Sequence, residues 1–245
     1  MAARYDTNLG RPPDYDRCMA QHGPRQQRAQ ATRAAVVAAA AHEFDERGYV
    51  GASMDAVALR AGVTKGALYF HFTSKADLAA AVIATQHEVS RRYGDQAAER
   101  GETPLEVMMW MSQALATQMV TEVVVSAGIR LSAEAATAEV PRQDPYTDWM
   151  HVSTEIMRQG IAAGEVDPAW DPEMLGRVLI PAYTGVQTVS DVLADRADLF
   201  ERLRELWTVL LAAVVTERMR PEIPRLVSII APGTTAQSGV ESTAP

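Results

Sequence analysis

Residues 53–75, SMDAVALRAGVTKGALYFHFTSK, carry three helix starts within 23 positions. Ser53 supplies the oxygen that caps a short helix from Met54 to Ala61, whose Val57, Ala58 and Ala61 share one face. Gly62 stops that helix. Thr64 opens a second one running to about Phe72, and Ser74, with Asp77 three residues later, has the capping-box form for a third. Two short helices joined by a turn at a glycine make a helix-turn-helix. The second begins with Thr64, Lys65, Gly66 and Ala67, small or cationic residues that suit a helix end entering a groove about 12 Å wide. Tyr69, His71 and Lys75 extend its polar side with donors for phosphate, and Leu68, Phe70 and Phe72 provide apolar bulk to anchor the unit.

Working outward, the alanine-rich stretch from Gln26 to Arg47 places Val36, Val37, Ala40 and Phe44 at helical spacing, and Gly48 ends it. Residues 1–25 contain Gly10, Pro12, Pro13, Gly23 and Pro24 without apolar periodicity and read as a flexible arm. Downstream, helices are expected from Lys75 to about Glu99, from Thr103-Pro104 through Met119, over Glu122–Glu134, over Tyr146–Ala163, and from Asp171-Pro172 to about Leu193. Pro181 inside the last of these should kink it or free a carbonyl. The run Val123–Val125 is ambiguous between helix and strand. A final amphipathic helix carries Leu199, Leu203, Leu206, Trp207, Leu210, Leu211, Val214 and Val215 in steps of three and four. Residues 222–245, rich in Pro, Gly, Ser and Thr, read as a flexible tail. The sum is an all-α chain of about nine helices.

Composition narrows the function. The net charge of −8 divides into 0 over residues 1–24, +3 over 25–75 and −11 over 76–245. A small cationic unit on a large anionic body suits a local anionic partner. The chain has only two lysines, Lys65 and Lys75, so charge elsewhere rests on arginine. One cysteine, Cys18, excludes an intramolecular disulfide and a cysteine zinc site, and no apolar run marks a membrane span or signal peptide. No nucleophile elbow, P-loop, zinc-protease or dinucleotide motif occurs, and the five histidines show no ligand spacing. The expectation is a cytoplasmic protein that is not an enzyme and needs neither metal nor cofactor.

The run from Gly48 to Lys75, G-Y-x-G-A-S-x-x-x-V-A-x-x-A-G-V-T-K-G-A-L-Y-F-H-F-x-S-K, resembles the DNA-binding domain of TetR-family repressors. Within that family, Thr103–Glu106, Ala127–Leu131, Pro145–Trp149 and Gly185–Asp191 resemble the γ-butyrolactone receptors and their butenolide-sensing relatives. The resemblance implies an N-terminal helix-turn-helix domain (26–74) followed by a ligand-binding and dimerisation domain (75–221). It implies a homodimer paired through its last two long helices, with the stripe of 199–215 as candidate contact unless that stripe faces its own core. It also implies a pseudo-palindromic DNA operator and release by a small hydrophobic butyrolactone- or butenolide-like ligand, controlling antibiotic production or differentiation genes. The alternative is a pseudo-receptor answering to an antibiotic or other bulky hydrophobic compound and controlling efflux or biosynthesis genes.

For DNA contact the candidates are Ser53, Thr64, Lys65, Gly66, Tyr69, His71, Lys75 and, on the first helix, Arg28. Lysine donates to guanine O6 or N7, which singles out Lys65 for a base edge. For the ligand, the family resemblance points to Trp149, whose indole offers an apolar face and one donor. Tyr146, Gln86, Thr184 and Gln187 are candidate polar handles, and Met108, Trp110 and Met111 a candidate adaptable lining.

Overall fold

The computed structural model describes residues 24–134 and 145–232. The expected arm before residue 24, the loop at 140–144 and the tail beyond 232 lie outside the described residues. Ten α-helices and one 3-10 turn follow in order: α1 Pro24–Gly51, α2 Met54–Arg60, α3 Lys65–His71, α4 Lys75–Arg100, α5 Pro104–Thr121, α6 Val123–Glu134, α7 Pro145–Ala162, α8 Pro172–Ala194, α9 Leu199–Val214, the 3-10 turn Glu217–Glu222, and α10 Ile223–Ser228. Among the described residues there is no strand, only an isolated antiparallel bridge between Val166 and Val215. Val123–Val125 is helical.

The caps read from sequence form. Ser53, Thr64 and Ser74 accept from the backbone N–H groups of Ala56, Ala67 and Asp77 at 3.2, 3.2 and 3.0 Å. Thr103 accepts from Glu106 N–H, and the Glu106 carboxylate reaches back to Glu102 N–H at 2.8 Å. Gly48 has φ 67°, a backbone that β-carbons disfavour, so α1 bends there and makes one further turn. Gly62, at φ 65°, closes the turn between α2 and α3: its N–H bonds Leu59 O, and Val63 N–H bonds Ala58 O.

Two apolar clusters organise the chain. One joins α1, α2 and α3 with the first turns of α4 (Leu78, Ala79, Val82, Ile83) and with Ala127 and Leu131 of α6. The other fills the body from α5 to α10, around Met109, Met157, Leu203, Trp207 and Leu211. Helix α4 therefore starts in one core and continues along the other, packing on α5 and α6.

One expectation changes and two open alternatives narrow. Residues after 221 are not a loose tail throughout: Leu226, Val227 and Ile230 are buried, and Arg204 and Gln113 donate to the carbonyls of Ile230 and Ala231. Apolar spacing too short to register in a proline-bearing segment still closes the core. Helix α8 runs unbroken through Pro181, whose ring lies exposed, so the carbonyl it leaves unpaired borders solvent. In the stripe of 199–215, Leu199, Leu203, Trp207, Leu211, Val214 and Val215 face their own core. The apolar side chains left exposed on α8 and α9 are instead Val178, Val189, Val192, Leu193 and Val209.

Candidate functional site

Helix α3 stands out from the N-terminal core on two buried side chains, Leu68 and Phe72. Its outer face presents Thr64, Lys65, Gly66, Tyr69 and Phe70 to solvent. Helix α2, which precedes it across the Gly62 turn, is tied to α1 by the buried carboxylate of Glu43, which accepts from Arg60 Nε at 3.0 Å, and by Glu46, which accepts from the same guanidinium at 2.8 Å. The Ser53 and Thr64 hydroxyl oxygens hold helix caps, leaving their hydrogens available. Lys65 Nζ sits 2.6 Å from Asp55, and both side chains are exposed. Asp55, which entered the sequence reading only through the charge of residues 25–75, thus parks the lysine beside the groove-facing surface.

The other candidates are placed differently. His71 is half-buried, packed edge-on to the Phe70 ring at 5.2 Å. Lys75 is engaged within the domain: it donates to Ala52 O at 3.1 Å and Val50 O at 3.4 Å, with its ammonium 4.6 Å from the Tyr49 ring centre. A cation suits the carbonyl-rich end of α1, which is where the chain delivers it. Arg28 is exposed on the first turns of α1. Phe70 is not an anchor: it is 80% exposed, whereas Leu68 and Phe72 are buried. A seven-residue helix turns by 100° per residue, so three nearly consecutive apolar residues cannot share its buried side.

Inside the body, α4, α5, α7, α8 and α9 surround a cavity of about 770 Å³, mouth included. Its eighteen lining residues carry no charge. Of the predicted ligand residues, Trp149, Met108, Met111, Thr184 and Gln187 line it; Tyr146, Gln86 and Trp110 do not. Tyr146 backs the wall, its ring edge-on to Trp149 at 5.6 Å, and burial pushes its phenol above the ordinary range. Trp110 lies one helical step from Met111 and turns outward under the Arg100 guanidinium, 5.3 Å from its ring. Gln86 lies one turn below the lining residue Ser90 and donates to its hydroxyl at 2.9 Å.

Ser112 and Tyr183, which the sequence reading did not single out, and Trp207, which it placed in the stripe of the last long helix, complete the floor. Ser112 Oγ accepts from Trp207 Nε1 at 2.8 Å, and its carbonyl accepts from the Tyr183 hydroxyl at 2.7 Å. These bonds tie α5, α8 and α9 together. Burial drives the Tyr183 phenol far up, against the opposing hydrogen bonds to Ser112 and Gln187, so it stays a neutral donor. A polar residue at one position of an apolar helical face, as Ser112 is, was the available signal.

The cavity and the helix-turn-helix share neighbours. Ser90 donates to Gln118 at 3.2 Å, so a chain Gln86–Ser90–Gln118 runs from the cavity wall down α4. Gln86 is fully buried, its Oε1 without a partner, and its stem packs on Gly128 of α6. Helix α6 in turn grips α1: Glu134 accepts from Tyr49 N–H at 2.8 Å, Arg130 donates to Asp45 O, and Ser126 donates to the Asp45 carboxylate. Arg196, from the turn between α8 and α9, donates to Ser126 and to Met119 O.

An exposed helix-turn-helix carried on a helical body with its own uncharged cavity defines a DNA-binding regulator. The comparisons agree. Residues 36–82 match the family model described as bacterial regulatory proteins, tetR family, and residues 102–216 match the tetracyclin repressor-like C-terminal domain. The A-factor receptor protein of Streptomyces griseus is 33% identical over 202 residues, 81% of this chain and 70% of the relative. A solved γ-butyrolactone receptor, described as ArpA-like, superposes with a TM-score of 0.72 at 32% identity, covering 83% of this chain and 98% of the other. CprB of Streptomyces coelicolor, solved with its operator sequence, gives a TM-score of 0.73 at 32% identity over 83% and 98% of the two chains. The chain belongs to the TetR family, and it is a transcriptional regulator rather than an enzyme. Among the described residues no single helix is long and apolar enough to cross a membrane.

Proposed function

We propose that this protein is a homodimeric repressor that binds a pseudo-palindromic operator through α3 of each subunit and lets go when a small, neutral, hydrophobic signal of the butyrolactone or butenolide class fills the cavity. The observation that carries this reading is the chemistry of the lining. Eighteen uncharged residues with a few hydroxyl and amide groups suit a molecule with a carbonyl or hydroxyl head and an alkyl body, and offer nothing to an ion. Trp149 and the methionines Met108 and Met111 provide the apolar surface, and Thr184, Gln187 and Ser153 the polar handles. The similarity to the A-factor receptor supports a role in antibiotic production or differentiation genes.

Pairing through α8 and α9 is supported by their exposed Val178, Val189, Val192 and Val209, beside the small exposed residues Gly185, Ala212 and Ala213. A two-fold dimer offers its recognition helices about 34–36 Å apart, one turn of DNA, which is why half-sites should be palindromic. Release requires the ligand to favour a conformation that spoils this spacing. Helix α4, continuous from the α3 unit to the cavity, and α6, which grips α1, are the connecting parts.

The test is a gel shift on the promoter of the protein's own gene, titrated with a 2-alkyl-γ-butyrolactone and, separately, with its ring-opened hydroxy acid. The lactone should release DNA, and the anionic acid should need at least about 100-fold more, since no cation lines the cavity to offset its desolvation. Equal potency of the two would overturn the assignment. Release by a bulky antibiotic with no response to any lactone would favour the pseudo-receptor reading.

A further inference from the structure

Phe70 has no structural task in the chain that bears it. Leu68 and Phe72 already root α3 in the core, and Phe70 points away from both at 80% exposure. A single exposed phenylalanine is unremarkable on most surfaces. This one lies one turn beyond Gly66 and beside Tyr69, on the exposed side of α3, at the part of the molecule that DNA binding requires to be buried. A β-carbon at Gly66 would meet only Thr64 Oγ1, at 4.0 Å, so the helix surface one turn before the ring is open as well. His71 packs edge-on against it at 5.2 Å and 82°.

The major groove offers one apolar group, the C5-methyl of thymine; the other base edges there are donors and acceptors. We propose that Phe70 is a specificity-determining residue of the operator complex, packing on a thymine methyl in each half-site. Lys65, in the first turn of the same helix, reads a donor–acceptor pattern or a phosphate, and Phe70 discriminates thymine from cytosine and from any base lacking that methyl. The inference rests on the operator-binding reading above.

The test uses the full-length protein and a duplex enriched from a random library, with each thymine replaced in turn by deoxyuridine, which deletes the methyl and keeps the pairing. At one thymine per half-site the wild-type protein should lose about fourfold in affinity, the factor that burying one carbon is worth. Phe70→Ala should bind the thymine and deoxyuridine duplexes equally, and Phe70→Leu should keep part of the preference. Because the side chain is exposed, the thermal midpoint of Phe70→Ala should match wild type, so a loss cannot be ascribed to misfolding. A wild-type scan with no sensitive thymine overturns the proposal. So does a methyl preference that survives in Phe70→Ala, which would give the contact to Thr64 or Ala67. If no duplex is enriched at all, the operator-binding reading itself fails, a result distinct from either.

Discussion

Trp149→Ala should leave operator affinity within about twofold of wild type and raise the lactone concentration needed for release by about 30- to 1000-fold. The indole is half-buried on the cavity wall, backed by the edge of Tyr146. Truncation removes the largest apolar face available to a ligand and admits water behind it. Loss of one such anchor costs about 2–4 kcal/mol at comparable buried contacts. None of the substituted atoms touches the N-terminal core, so the unliganded protein keeps its DNA-binding geometry. Fluorescence anisotropy of a labelled operator, titrated first with protein and then with lactone, reads both quantities. Release at the wild-type concentration would remove Trp149 from the ligand site.

Gly128→Ala should lower the thermal midpoint by about 5–15 °C. A β-carbon there would sit 2.4 Å from Gln86 Cβ and 2.7 Å from its Cγ, the stiff base of a fully buried side chain. Helix propensity favours the substitution by about 1 kcal/mol. Overpacking costs about 1–3 kcal/mol, and a displaced Gln86 that loses Ser90 leaves buried polar groups unpaired at about 1–3 kcal/mol more. The cost exceeds the gain, and for a chain of this size each kcal/mol moves the midpoint by about 2–4 °C. Gly94→Ala on the neighbouring turns of α4 is the control. Its new carbon meets only the flexible end of Met111 at 3.7 Å, so that variant should be neutral or stabilised. A stabilised Gly128→Ala would show that α4 and α6 are not tightly joined, and would weaken the route from cavity to α1.

The parts of this molecule visible in the sequence are those encoded locally. Ser53, Thr64, Ser74, Thr103 and Asp171 announce helix starts because the capping oxygen and the N–H it satisfies lie two or three residues apart. Gly48 and Gly62 mark turns for the same local reason. What depends on the third dimension was less visible. Phe70 reads as an anchor until the rotation of a seven-residue helix is fixed by Leu68 and Phe72. The apolar spacing of α9 identifies an amphipathic helix without saying whether its own core or a second subunit covers the stripe. Leu226, Val227 and Ile230 seal the body from a segment whose prolines suggest a tail. In the cavity, Trp149 and Gln187 were legible, while Tyr146 and Gln86 fell one layer behind the wall, a distance of one residue or one turn that periodicity does not resolve. Ser112 and Tyr183 were missed because their bonds join positions 71 residues apart.

One measurement bears most directly on the claim that the cavity and the operator face are coupled. The affinity of a 2-alkyl-γ-butyrolactone is determined by calorimetry, once for the free protein and once for the protein saturated with operator. Linkage requires the ligand to bind the operator complex more weakly by the same factor by which saturating ligand weakens operator binding, typically about 5- to 150-fold. Weaker binding by that matching factor is the predicted result. Equal lactone affinity in the presence and absence of operator would mean that occupation of the cavity carries no information to α3.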